Sequence, residues 1–327
     1  MVERKDYIDV VKAIGIILMT MGHVSFGSEF NQWIAGFHMP LFFFVSGYLF
    51  NDKNSDTKKY LINKCQTLLL PYITFGFVNL VIWCVLNNDI QCCNMIKHLF
   101  FINTEGMEIS GPLWFLSALF ISSIILFYIN RFIKNKIIFV FVILFVMSFG
   151  LLETQLLSFR LPFAIGPGLV GSGIMYFGLI YRKYVDNHRR YKSITYIVLF
   201  VFASLSIMNN QHVNMRTGSY AIIPVSILNA LIMSISILEL ARNLCEKLNK
   251  SIVGKKIINN FSLIGRYSLV YLGFNQTVIF ALAPIVMQVE PIVLKKLILL
   301  VMTFVMLSII TYAIYHTKIK YLLGVKR

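Results

Sequence analysis

The first apolar stretch of the sequence carries three ionisable side chains, Asp9, Lys12 and His23. On an α-helix with about 100° per residue, the three fall within one stripe roughly 60° wide. At a rise of ~1.5 Å per residue, His23 stands about 16 Å beyond Lys12 along the axis. Ionisable groups inside a membrane span are costly, so they are functional candidates. The alternative is that Asp9 and Lys12 are interfacial, with the Lys12 ammonium reaching back to the headgroups.

A second histidine opens the next apolar stretch, in the run Phe37-His38-Met39-Pro40. If that helix returns from the side where the first one ends, His23 and His38 reach a similar depth and can face one cavity. Imidazole titrates near neutral pH and is the usual general base of enzymes. The two histidines therefore indicate proton-transfer chemistry, although they do not name a reaction.

The composition requires a lipid environment for these residues. Hydrophobic residues make up 57% of the 327 and charged residues only 13%, whereas a soluble domain has roughly 25% charged residues. A span needs roughly 20 mostly apolar residues. Ten segments qualify, the second and fifth being short: 8–26, 34–50, 66–87, 112–130, 137–152, 162–181, 193–208, 221–240, 267–287 and 292–315. We therefore predict an all-α integral membrane protein of about ten transmembrane helices, in a single domain over 1–327.

The distribution of basic residues predicts the orientation. Of the 30 Lys and Arg residues, 24 lie in one set of alternate loops that includes both ends of the chain. The positive-inside rule places both termini in the cytoplasm. This sorting also accounts for the net charge of +16 without a nucleic-acid partner.

Two further features concern local structure. The sixth segment contains Pro162, Pro167 and several glycines, which predicts a broken or kinked helix covered by protein. The five cysteines, at 65, 84, 92, 93 and 245, show neither metal-ligand spacing nor a disulfide framework. We therefore predict no metal site and assign the cysteines no chemistry.

Short blocks in the chain resemble the membrane acyltransferase-3 family, and most closely its fucose 4-O-acetylase-like branch. They occur in the order of the family over nearly the whole chain. The blocks are Arg4 to Asp9 with Lys12 and Gly22-His23; His38-Met39-Pro40 with Ser46-Gly47; Leu70-Pro71-Tyr72; Leu113-Trp114-Phe115-Leu116; Leu161 to Ile165 with Phe177-Gly178; and Gly265 to Leu269.

The resemblance implies transfer of an acyl group, commonly acetyl, from cytoplasmic acyl-coenzyme A to a hydroxyl of a sugar or cell-surface glycan. It also implies a bacterial plasma membrane. His23 corresponds to the expected catalytic residue and would act as the general base, with a covalent acyl-histidine as the variant mechanism. Lys12 stands where the family usually has Arg. It would orient the donor, and Asp9 would fix Lys12.

Further residues are candidates for binding substrates. Tyr72, Trp114 and Asn275 could each donate to a developing oxyanion or contact the acceptor, and Asn275 stands where the family often has a histidine. Trp114 also fits an aromatic belt at the membrane interface. Ser46 is a candidate contact, but small residues also let helices approach closely. Arg182 could draw in the phosphates of coenzyme A, or only reflect positive-inside sorting.

Other functional classes remain open at this level. A transporter or exporter of a glycan or small molecule also places polar residues in spans. We find no internal repeat and almost no interior charge in the spans after the first, which favours the acyltransferase. An inactive relative that serves as a sensor is a third possibility. On the side predicted to face outward, Arg160 and Arg216 could meet an anionic glycan carrier.

Overall fold

The computed structural model describes residues 5–51, 56–87, 92–101, 103–105, 109–185 and 193–325. Within these ranges the regular structure is helical, and Asn214 and Ser219 form an isolated bridged pair. The α-helices are α1 Asp6–Val24, α2 Ser28–Ala35, α3 His38–Tyr48, α4 Thr57–Lys64, α5 Leu70–Asn87, α6 Cys92–Phe100, α7 Trp114–Phe132, α8 Lys136–Leu156, α9 Ile165–Ile180, α10 Ser193–Asn209, α11 Ile223–Leu248, α12 Ile252–Arg266, α13 Ser268–Leu282 and α14 Ile292–Tyr315.

Shorter helical turns connect or extend several of these helices. The π-helical turns Cys65–Leu69 and Tyr181–Val185 follow α4 and α9. The 3₁₀ turns Gly111–Leu113 and Pro162–Ala164 lead into α7 and α9, and Ala283–Val286 and Lys318–Leu323 follow α13 and α14.

Eight helical stretches of the described residues are long and apolar enough to cross a membrane: Asp6–Val24, Thr57–Leu86, Gly111–Phe132, Lys136–Leu156, Pro162–Tyr184, Ile223–Leu248, Ser268–Val286 and Ile292–Tyr315. The predicted class, an all-α membrane protein, is confirmed. Helix α10 has 17 residues and α3 only 11, so both are shorter than a full span. The count of ten and the orientation stay predictions.

Helix α1 defines the two ends of the bundle. We name the end that holds Asp6 the proximal end, and the end that holds Val24 the distal end. Asp6 and Asp9 lie in the first turn of α1 and His23 in its last turn, an order that suits the helix dipole. Ser25 ends the helix in the left-handed conformation, with φ 65°. The unbroken helix therefore holds Lys12 and His23 in opposite halves of the bundle.

The second predicted span, 34–50, is divided in the structure. Helix α2 ends at Ala35 and α3 begins at His38, with Gly36 and Phe37 forming the corner. A Cβ built on Gly36 would lie 2.9 Å from the Ile207 side chain, so the corner packs directly on α10. The break puts His38 in the first turn of α3, at the distal end.

Close contact between α3 and α9 depends on small residues. A Cβ built on Gly47 would lie 1.8 Å from the Met175 carbonyl oxygen, and one on Gly178 would lie 2.1 Å from the Phe44 oxygen. No larger residue fits at either place while the backbones keep this distance. The pair therefore fixes α3, and with it His38, against the body of the bundle.

The break predicted in the sixth segment is confirmed just before α9. Phe163 and Ala164 adopt left-handed conformations, with φ 56° and 55°. The Phe163 N–H donates to the Phe101 carbonyl at 2.6 Å, and the Leu161 N–H donates to the buried Glu153 carboxylate at 2.7 Å. The freed backbone groups thus find partners inside the protein, as a membrane environment requires.

The spans after the first do carry interior charge, so that expectation is wrong. Glu239 and Arg242 of α11 are both buried, and Arg242 Nη1 lies 3.2 Å from Glu239 Oε1. Arg242 Nη2 also donates to the hydroxyls of Tyr7 and Tyr48, at 3.0 and 2.7 Å. Glu239 lies inside the predicted span 221–240, but Arg242 lies two residues beyond its end, so the pairing was not expected. Since the charges satisfy each other, they tie α1, α3 and α11 together at the proximal end.

The prediction that the cysteines have no chemistry is wrong for Cys84. Cys84 is disulfide-bonded and lies near the distal end of α5, whereas Cys65 and Cys245 are free thiols. The spacing of the five cysteines did not reveal this bond, because one disulfide needs no framework of several bridges.

Candidate active site

A cavity of about 340 Å³ lies at the distal end of the bundle. The His23 side chain in its wall is exposed to solvent. Five elements and one loop supply the wall: Met19, Gly22 and His23 from α1; Asn31, Ile34 and Ala35 from α2; His38 and Met39 from α3; Gly111, Pro112 and Trp114 from the entry to α7; His212, Val213, Asn214, Met215 and Arg216 from the loop after α10; and Gln276 from α13.

His23 is held from across the cavity by Gln276. The Gln276 Nε2 atom lies 3.0 Å from His23 Nδ1, and Gln276 Oε1 accepts the Gly111 backbone N–H at 2.8 Å. A backbone N–H can only donate, so Gly111 determines which end of the amide is oxygen. The Gln276 NH₂ group therefore donates to His23 Nδ1, and the neutral imidazole carries its hydrogen on Nε2.

His38 has the opposite tautomer. Its Nδ1 atom lies 2.8 Å from the Ile34 carbonyl oxygen, and a carbonyl can only accept. Nδ1 therefore carries the hydrogen, and Nε2 keeps the lone pair. The cavity thus combines an N–H donor on His23 with a basic nitrogen on His38.

A tight turn between α10 and α11 presents Arg216 to the cavity. Asn214 and Ser219 exchange backbone hydrogen bonds of 2.8 and 3.0 Å, and Asn214 Oδ1 accepts the N–H groups of Arg216 and Thr217. Burial lowers the pKa of the Arg216 guanidinium, and the Glu105 carboxylate opposes that shift. Arginine stays protonated in proteins, so the cavity wall carries a positive charge.

Of the residues singled out from the sequence, four line this cavity: His23, His38, Trp114 and Arg216. Trp114 is 4% exposed and begins α7, where its ring meets that of Phe115 edge-on at 6.3 Å. It forms part of the same cavity wall as the two imidazoles.

Asn275 and Tyr72 lie outside the cavity. Asn275 is fully buried, and its Nδ2 donates to the Tyr271 and Leu272 carbonyls of its own helix, each at 3.0 Å. Tyr72 is also fully buried, with its hydroxyl bonded to the Leu99 carbonyl and to Asn103 Nδ2. Both side chains are committed to packing within the bundle.

The remaining candidates lie away from the cavity as well. Ser46 is half-buried in the last turn of α3, beside the close contact at Gly47. Asp9 is 5% exposed and Lys12 half-buried, both in the proximal half of α1. Arg182 Nη2 donates to the Phe50 carbonyl at 2.6 Å, at the proximal end. The structure therefore separates a distal histidine cavity from the proximal basic residues.

Sequence reasoning did not find Gln276, Asn31 or His212, which all line the cavity. One signal for Gln276 was present, because Asn275, Gln276 and Thr277 form a polar run inside an apolar segment. Consecutive helical residues point about 100° apart, so only one of the three can face a given cavity.

The comparison with known proteins bears on the whole chain. The family model described as an acyltransferase domain, of the acyltransferase-3 type, matches residues 5–316. No curated protein and no solved structure was found to match. The matched range contains all of the cavity wall, both histidines and the proximal basic residues. With nearly the full chain covered, this protein belongs to the membrane acyltransferase-3 family.

Proposed function

We propose that this acyltransferase moves an acetyl group from cytoplasmic acetyl-coenzyme A to a hydroxyl of a sugar or cell-surface glycan. Its setting would be the plasma membrane of a bacterium, and its nearest functional type the fucose 4-O-acetylase-like branch. The observation that carries the proposal is the pair of histidines in opposite tautomers in one distal cavity.

The tautomers suggest how the two imidazoles divide the reaction. His38 Nε2 takes the proton of the acceptor hydroxyl as its oxygen attacks the thioester carbonyl carbon. His23 Nε2–H donates to the carbonyl oxygen as negative charge develops there. When the C–S bond breaks, the coenzyme A sulfur leaves with the proton from His38, which restores the neutral ring.

His23 becomes the general base itself, as the family resemblance implies, if the Gln276 amide turns over. The Gln276 oxygen then accepts a hydrogen from His23 Nδ1, and Nε2 is free to take the acceptor proton. In this state the Gln276 NH₂ group faces the Gly111 N–H, so two donors meet and the Gly111 N–H loses its acceptor. A buried donor without a partner costs about 1–3 kcal/mol. The resting geometry therefore favours His38 as the base and His23 as the donor.

The acetyl donor would bind at the proximal end. There Lys12 would orient it, Asp9 would fix Lys12, and Arg182 would attract its phosphates. The pantetheine arm would then carry the thioester roughly 16 Å along α1, from the level of Lys12 to that of His23.

Two observations support an outward-facing distal end. The basic residues cluster in the loops at the opposite end. Cys84, which is disulfide-bonded, lies near the distal end of α5, and disulfides persist in oxidising compartments.

The test is thiol release from acetyl-coenzyme A by the purified protein with candidate glycans. We expect His23→Ala and His38→Ala each to reduce transfer at least about 10²-fold, the usual contribution of a general base or an oxyanion donor. His316→Ala is the matched control, because His316 is exposed at the proximal end of α14.

Two results would count against the proposal. One is wild-type turnover by His23→Ala at equal amounts of folded protein. The other is movement of a glycan across the membrane without cleavage of the thioester, which would favour the transporter.

A further inference from the structure

Among the residues that the structure describes, the wall of the distal cavity contains a guanidinium and no carboxylate. Among the described residues, the Arg216 side chain makes no hydrogen bond and no ion pair. The nearby Glu105 carboxylate is more than half exposed and leans toward Arg160, with 3.8 Å between Arg160 Nε and Glu105 Oε1. Within the described part of the chain, the Arg216 charge is therefore partly buried at the cavity without an ion-pair partner, and the Glu105 carboxylate acts on it only through its electrostatic field.

The guanidinium lies next to the reacting groups. A Cβ built on Gly111 would be 3.0 Å from Arg216 Nη1 and 2.9 Å from Gln276 Oε1. The same Gln276 amide holds His23. Arg216 is therefore placed beside the atoms that we propose take part in acyl transfer.

A structural role for the guanidinium does not explain its placement. The turn that carries it is held by the Asn214 side chain, by the bridge between Asn214 and Ser219, and by Arg160, which donates to the Thr217 carbonyl. Val213 and Met215 bury their side chains beside it. All of these contacts hold the turn without the Arg216 side chain.

We propose that the acceptor carries an anionic group, a carboxylate or a phosphate, that pairs with Arg216 while a nearby hydroxyl lies at the two histidines. This inference rests on the proposed function, and it names the class of acceptor. The guanidinium fork matches both anions with two parallel hydrogen bonds. A buried charge that is costly in the empty site becomes favourable when such a partner arrives.

A binding experiment tests the proposal with three ligands that share one sugar ring: glucose, glucuronic acid and glucose 6-phosphate. The full-length protein in neutral-lipid nanodiscs is titrated with each, and binding is measured by calorimetry. We expect one or both anionic sugars to bind at least about tenfold more tightly than glucose, equivalent to ~1.4 kcal/mol. The stronger of the two identifies the source of the anion, a uronic acid or a sugar phosphate.

Three variants locate the effect. Arg216→Gln should reduce the ratio of affinities to about one, because the charge is lost, whereas Arg216→Lys should keep part of it. Lys97→Gln removes a positive charge from the exposed face of α6, outside the cavity wall, and should leave the ratio unchanged. Equal binding of glucose, a preference that survives in Arg216→Gln, or no saturable binding of either anion would overturn the proposal.

The same titrations in His23→Ala separate this inference from the proposed function. The variant should keep the anion preference although it no longer transfers acetyl groups. If His23→Ala transfers normally, the proposed chemistry fails and the binding result still stands. If Arg216→Gln lowers the transfer rate while the ratio of affinities is unchanged, Arg216 serves the oxyanion and the anionic acceptor is refuted.

Discussion

At the scale of single residues, one backbone N–H governs the chemistry of the cavity. Gly111 donates to Gln276 Oε1, and this fixes the amide so that its nitrogen faces His23. Ile34 does the same for His38 through a carbonyl. Neither Gly111 nor Ile34 has an ionisable side chain, so the main chain sets both tautomers, directly for His38 and through the Gln276 amide for His23.

Gln276→Leu should release this control. Without the amide donor, neutral His23 is expected to populate both tautomers, and transfer should fall about fivefold for the loss of one hydrogen bond near 1 kcal/mol. Nitrogen chemical shifts of ¹⁵N-histidine-labelled protein report which ring nitrogen carries the hydrogen, with His23 assigned by its absence in His23→Ala. Finding the wild-type hydrogen on Nδ1 of His23 would contradict the geometry.

At the scale of elements, glycines decide how closely the helices that carry the site approach each other. Gly47 lets α3 lie against the α9 backbone, and Gly111 lets Gln276 and Arg216 come together above the entry to α7. The two positions differ in what a side chain would meet. At Gly47 it meets a backbone carbonyl, and at Gly111 it meets the ends of flexible side chains.

Gly47→Ala should therefore destabilise the protein. The added Cβ would lie 1.8 Å from the Met175 oxygen, and separating packed elements typically costs about 1–3 kcal/mol. Thermal unfolding in detergent measures the loss. Gly22→Ala is the control, because its nearest atom would be 4.0 Å away. A midpoint for Gly47→Ala equal to that of the control would show that α3 and α9 are less tightly packed than described.

Gly111→Ala should leave the fold intact and impair the chemistry. Its Cβ would meet Gln276 Oε1 at 2.9 Å and Arg216 Nη1 at 3.0 Å, and both side chains can swing aside. The hydrogen bond that orients Gln276 is then weakened, so we expect transfer to fall several-fold at an unchanged unfolding midpoint. The comparison needs only the turnover assay and the unfolding curve on one preparation. A variant with full activity would indicate that Gln276 tolerates displacement.

At the scale of the whole molecule, the bundle keeps two kinds of chemistry apart. The histidines lie at the distal end, and Lys12, Arg182 and the Glu239–Arg242 pair lie in the proximal half. This separation of the histidines from the proximal charged residues matters only if the two ends of the bundle face different compartments. The orientation is therefore the prediction on which the direction of transfer depends.

Single cysteines test that orientation. Lys59→Cys, on the exposed face of α4 at the proximal end, and Gln211→Cys, in the exposed loop after α10, are introduced with Cys65 replaced by Ser. In intact cells a membrane-impermeant maleimide should label Gln211→Cys, and it should label Lys59→Cys only after permeabilisation. The reverse pattern would place the distal cavity in the cytoplasm.

The sequence predicted the fold class and part of the site, and each failure has a physical reason. The phase and length of α1 are local properties, so the stripe holding His23 followed from spacing. The convergence with His38 followed from the further expectation that the next helix returns from the side where α1 ends. The choice of Gln276 over Asn275 depends on a rotation of one residue, which apolar surroundings do not reveal. The tautomer of His23 depends on a partner 253 positions away, and no local pattern encodes it. Arg242 was not expected inside the bundle because the predicted span was ended before this charged residue.

The shortness of α3 has a consequence for how an acetyl group could cross the membrane. Its 11 residues extend about 16 Å, roughly half of a ~30 Å hydrocarbon layer. The cavity lies at one end of α3 and the Tyr7–Tyr48 contact at the other, so the two are separated by less than the thickness of that layer. In the proposed function, the acetyl group crosses this short distance while coenzyme A stays at the proximal end. The cell would then decorate its outer surface without exporting an activated precursor.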